Sequence, residues 1–81
     1  MTNDKAQRVY RRLLYYFESK TPVYFKVFDH RKQMMLFRIG LIIDLSAEKE
    51  TCVLKENVLG EIPILLEEIN ENTINTARAR K

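Results

Sequence analysis

Catalysis needs reactive side chains that can reach one another, and this chain of 81 residues supplies few. Its single cysteine, Cys52, stands in the apolar run Thr51-Cys52-Val53-Leu54. A lone cysteine there reads as a small buried hydrophobe rather than a nucleophile. The single histidine, His30, lies between Asp29 and Arg31 in a polar stretch, and no further His or Cys completes a metal set. Glu67-Glu68 and Asp44 could be imagined as paired carboxylates. Glutamates flanked by Leu66 and Ile69, however, read as the wet side of an amphipathic turn. With two glycines, Gly40 and Gly60, there is no phosphate-cradling loop. The inventory predicts a protein that is not an enzyme, with no catalytic residues, no metal, no cofactor and no small-molecule substrate.

The residues suited to binding are more numerous. Arg8, Arg11, Arg12 and Tyr15 fall opposite the apolar stripe of the first segment. Tyr24, Lys26 and Phe28 share one face of the next, and Arg31-Lys32 follow in a turn. Arg78, Arg80 and Lys81 close the chain. Guanidinium groups pair with phosphates and tyrosine rings stack on bases, so this set has the footprint of a nucleic-acid contact. Tyr15, Tyr16, Tyr24, Phe28, Met34 and Met35 are also more large apolar groups than a small core absorbs. That surplus predicts a contact with another protein or a second copy of the chain.

The net charge of +3 conceals a division. Residues 1–40 sum to +6, residues 41–71 to −6, and the last ten residues add +3. Such asymmetry suits a polyanion-binding half or head-to-tail self-association. The longest uncharged apolar run, Ile39 to Ile43, is far below the roughly 20 residues of a membrane helix. Met1-Thr2-Asn3-Asp4-Lys5 lacks a signal-peptide apolar region, and one cysteine cannot form an internal disulfide. A reducing cytoplasm, with no membrane contact, is the expected setting.

These residues need elements to position them. Ala6, Val9, Tyr10, Leu13, Leu14 and Phe17 recur at helical spacing and predict a helix over 4–19. Asp4 is its expected N-cap, with Gln7 completing a capping box, and Pro22 ends it. The period then falls to two. Val23 to Phe28 reads as a strand, Asp29 to Gln33 as a turn, and Met34 to Leu45 as a longer strand bent at Gly40. After a turn at Ser46 to Glu50, Thr51 to Lys55 and Val58 to Ile62 form two more strands around a turn at Glu56-Asn57. Pro63 belongs at a strand end or edge. Ile64 to Ile69 fits either a helical turn or continued strand, and Asn70 to Ile74 closes the sheet.

A helix followed by five short strands, the second bent at glycine, resembles the order of elements in Sm-like barrels. Pro22-Val23-Tyr24-Phe25-Lys26-Val27-Phe28 looks like the first strand of an Hfq-type chain, and Phe37-Arg38-Ile39-Gly40-Leu41-Ile42-Ile43-Asp44 like the second. Thr51-Cys52-Val53-Leu54, Glu61-Ile62-Pro63-Ile64 and Glu67-Glu68-Ile69 resemble bacterial YolD-like proteins. The likeness spans roughly residues 22–74. It implies an Sm-like or SH3-like fold, but not the Hfq RNA pocket. Where that family has a Tyr-Lys-His-Ala run, this chain has Glu56-Asn57-Val58-Leu59-Gly60-Glu61.

The expectation is one α+β domain over 1–76, with a helix at 4–19, a strongly bent five-stranded antiparallel barrel at 22–75, and a flexible basic tail at 77–81. Its expected role is that of a small regulatory or adaptor module acting by protein–protein interaction as a homo-oligomer. The alternative is an RNA- or DNA-binding Sm-like protein using the basic helix face.

Overall fold

The fold follows from one change of hydrophobic period, near Pro22. A computed structural model describes residues 4–77 of the chain. Helix α1 covers Asp4–Ser19, and its stripe places Ala6, Val9 and Leu13 fully out of solvent. Asp4 lies inside the first helical turn, so the N-cap position falls outside the described residues. Gln7 Nε2 reaches across to donate to the carbonyl of Ala47 (3.4 Å), and the expected capping box lies outside the described residues. The helix stops where Lys20 turns into the left-handed region (φ 55°) and the Thr21 N–H donates back to the carbonyl of Tyr16. Pro22 then forbids another turn.

Five antiparallel strands follow: β1 Val23–Asp29, β2 Met34–Ser46, β3 Thr51–Glu56, β4 Gly60–Leu65 and β5 Ile69–Thr76. Their order is β4-β3-β2-β1-β5. The strands make the α+β architecture expected, but not a closed barrel. A short 3₁₀ turn at Leu66–Glu68 separates β4 from β5, and the two stay at opposite edges. That turn resolves the ambiguous stretch: Ile64 and Leu65 remain strand, Leu66 is buried within the turn, and Ile69 begins β5.

The long strand β2 serves both halves of the sheet. It pairs with β1 as far as Val23↔Gly40 and with β3 from Leu41↔Lys55 onward. A Cβ on Gly40 would lie 2.2 Å from the carbonyl oxygen of Lys55, so only glycine permits this crossing. The irregularity of register is not at the glycine. It falls between Ile42 and Asp44, where an extra residue is accommodated against β3.

The fourth strand begins later than its sequence suggests. Asn57, Val58 and Leu59 form the turn, and Gly60, at φ 79°, completes a three-residue hairpin connection. Pro63 sits within β4, which tolerates it because β4 is an edge. Beyond Thr76, the Ala77 N–H donates to the carbonyl of Pro22, and the remaining tail, 78–81, lies outside the described residues.

One core joins the helix to the inner face of the sheet. Ala6, Val9 and Leu13 pack with Val23 and Phe25 of β1, Ile42 of β2, Cys52 and Leu54 of β3, Ile64 of β4, Leu66, and Ile69 and Ile74 of β5. Tyr10, Tyr16 and Phe17 close its margin. The helix thus covers the Val23/Phe25 face of β1 and leaves the opposite face bare.

Candidate functional site

The bare face is built by register. Tyr24 opposes Ile39, Lys26 opposes Phe37 and Phe28 opposes Met35 across β1 and β2. Opposed residues share a side of the sheet, and their neighbours Val23, Phe25 and Val27 belong to the core or pack against it. Farther along β2 the same outer side carries Leu41 opposite Lys55 and Asp44 opposite Val53. From β3 it continues to Glu61, Pro63 and Leu65 of β4.

This outer side of β2 is more apolar than its inner side. Met35, Phe37, Ile39 and Leu41 point outward, and Ile43 at the register shift is also exposed. Inward stand Leu36, Arg38, Gly40 and Ile42, so a charge and a bare glycine occupy the core side. Phe37 is 58% exposed and Ile39 55%. The local chemistry is aromatic and cationic around β1. Tyr24 stacks beside Phe37 with centroids 6.0 Å apart, and Lys26 Nζ lies 4.9 Å from the centre of the Phe37 ring. A second apolar feature is the β3–β4 turn, where Val58 and Leu59 project with 90% and 60% of their surface open.

The basic helix face is only partly available. Arg8 donates from Nε and Nη2 to the Glu71 carboxylate on β5, at 2.9 to 3.2 Å. Arg12 donates to the backbone carbonyls of Glu71 and Ile74. These two arginines therefore fasten α1 to β5 rather than standing opposite the apolar stripe as free cations. The hydrogen bond from Arg8 holds the Glu71 carboxyl below the usual carboxylate range against the opposing effect of burial, and the charges of Arg8, Arg12 and Lys5 each add a smaller push in the same direction. The Arg8 guanidinium is correspondingly raised, by that hydrogen bond first and the Glu71 charge second. Arg11 and Tyr15 remain exposed, Tyr15 meeting Tyr16 edge-on at 5.2 Å.

Arg31 and Lys32 sit in an exposed turn organised by Asp29, whose Oδ1 accepts both of their backbone N–H groups. Those bonds, that from Lys32 first, lower the Asp29 pKa. His30 Nε2 meets a Glu68 carboxylate oxygen at 2.5 Å, and its ring lies edge-on to Phe28. This pair borders an open groove of about 550 Å³ that also touches Lys5, Met35, Glu67 and Asn70. Cys52 is buried, which with the nearby Asp44 charge pushes its thiol up to about 12. Among the described residues, no three His, Cys, Asp or Glu side chains gather as metal ligands, and no helix is long and apolar enough to cross a membrane.

The structure brings Tyr24, Lys26 and Phe28 together on one surface and leaves Arg11, Tyr15, Arg31 and Lys32 elsewhere. Sequence reasoning missed Phe37, Ile39, Leu41 and Ile43. A partial signal was present: Met35, Phe37, Ile39, Leu41 and Ile43 form one apolar phase, while the other mixes Arg38 and Gly40 with Leu36 and Ile42. Compared with known proteins, the chain matches no family model, no curated sequence and no solved structure.

Proposed function

We propose that this chain is a non-enzymatic regulatory or adaptor module that acts by protein–protein contact, with the outer face of the sheet as its binding surface. The observation that carries the reading is the outward direction of the more apolar side of β2. The close crossing at Gly40 fixes that direction, since a one-residue slip would set a Cβ against the Lys55 carbonyl, so the apolar side stays in water until a partner covers it. Fully burying such a side chain is worth about 1.5–3 kcal/mol, and with Phe37 and Ile39 still 58% and 55% exposed a contact recovers roughly half of that from each, set against the loss of freedom on association. The lone buried Cys52 supports a reducing, cytoplasmic setting, and the order of elements supports Sm-like kinship.

The aliphatic stretch of this surface is a poor fit for nucleic acid. Ile39, Leu41 and Ile43 offer no stacking platform, and Arg8 and Arg12 are already engaged by β5. A photo-crosslinking side chain at position 39, with a control at position 18, separates the two readings in the cell. Protein adducts at 39 that vanish with Phe37→Asp are expected. Nucleic-acid adducts, or equal labelling at both positions, would overturn the proposal.

A further inference from the structure

Charge on the outer face divides at Gly40, where β2 passes from one half of the sheet to the other. The first half is aromatic and cationic: Tyr24, Phe37 and Lys26. The second half is aliphatic and acidic: Leu41, Val53 and Leu65 with Asp44, while Lys55 and Glu61 oppose each other as a cross-strand pair. Phe37, Ile39, Leu41, Asp44 and Leu65 are exposed on this face, with Tyr24, Lys26 and Val53 half-buried among them. A partner for each must be apolar and must carry the opposite charge, and each half meets that description for the other.

We propose that the chain associates with copies of itself head to tail, the Tyr24/Lys26/Phe37 surface of one copy stacking on the Leu41/Asp44/Val53 surface of the next. The proposal rests on the outer face being a protein-binding surface and names its occupant. Two-fold pairing of like halves would set Lys26 against Lys26 or Asp44 against Asp44. A head-to-tail arrangement instead sets Lys26 against Asp44 and leaves one half of each terminal copy free; a two-fold axis at the Gly40 crossing would make the same pair twice and stop at two copies, so the mass reached separates the two. Such contacts extend into a chain or close into a ring. Each half is about three strands wide at the ~4.8 Å spacing of a sheet. That is a small interface of the transient class, so assembly belongs at protein concentrations on the order of 100 µM.

The test is sedimentation of the purified full chain alone across concentration, up to about 1 mM. The mean mass is expected to rise past twice the 9.7 kDa of one copy. Lys26→Asp and Asp44→Lys should each move the midpoint roughly tenfold or more upward in concentration, because each sets like charges together. An equimolar mixture of the two variants should regain the original assembly, since both alternating contacts then join opposite charges. A chain that stays at 9.7 kDa to the highest concentration overturns the proposal, as does association that stops at two copies or a mixture that fails to recover. Should a charge reversal unfold the chain, Leu41→Ser reads the same contact, and unchanged association would overturn it. Failure in sedimentation with protein adducts retained at position 39 would remove the head-to-tail contact and leave the module reading standing.

Discussion

Cys52 is sealed in the core with its thiol pushed to about 12, so it is expected to resist alkylation at mildly alkaline pH until the protein unfolds. Mass spectrometry after a timed iodoacetamide pulse measures this, and labelling as fast as in denaturant would refute the buried assignment. Glu71 carries a second prediction. Its folded pKa is depressed, so its contribution to stability is present above its unfolded value, near 4.3, and is lost as pH falls through the folded one. The gap in thermal midpoint between the native chain and Glu71→Gln should therefore be open at neutral pH and shrink below about pH 4. A gap that persists unchanged into strong acid would mean that the Arg8 pairing is not its source. The fate of Cys52 was legible from its apolar neighbours. That of Arg8 and Arg12 was not, because their partners lie some 60 residues away in β5.

At the scale of elements, two glycines separate two physical demands. Gly40 needs an absent side chain, since a Cβ would collide with the Lys55 backbone carbonyl at 2.2 Å. Gly60 needs only its positive φ of 79°, with open space around it. Gly40→Ala is therefore expected to break the pairing of β2 with β3. Gly60→Ala should cost roughly 1–2 kcal/mol, the price of a left-handed L-residue. Urea titration followed by circular dichroism ranks the two, and an equal or larger loss for Gly60→Ala would contradict the close approach. The helix and β1 were legible because each has a clean period, and β2 because it is a long apolar run bounded by turns. The start of β4 was not, because Val58 and Leu59 have strand-like side chains and face solvent on a turn.

Across the whole molecule, the charge division persists but part of it is spent internally. Arg8 of the basic half is paired with Glu71 of the acidic one, and His30 meets Glu68. A surface so neutralised should show little affinity for a polyanion. Titration of a mixed single-stranded RNA and DNA pool, followed by fluorescence anisotropy, is expected to give no binding that survives 0.2 M salt, on the order of physiological strength. Tight binding retained at that salt, and lost on Arg11→Glu, would restore the helix as a nucleic-acid surface.

Period in the sequence determined the helix, the strand-rich remainder and the place of Pro22 as the break between them. These are local properties, set by spacing along one chain. Tertiary structure alone decided which face of β2 lies outward, which arginines are occupied, and that β4 and β5 remain separate edges. Each depends on partners distant in sequence: Gly40 must meet Lys55, Arg8 must meet Glu71, and Val23, Phe25 and Leu13 must share one core. In β2 both sides are apolar, so period alone cannot choose between them; the close crossing at Gly40 turns the glycine inward and leaves Phe37 and Ile39 in water.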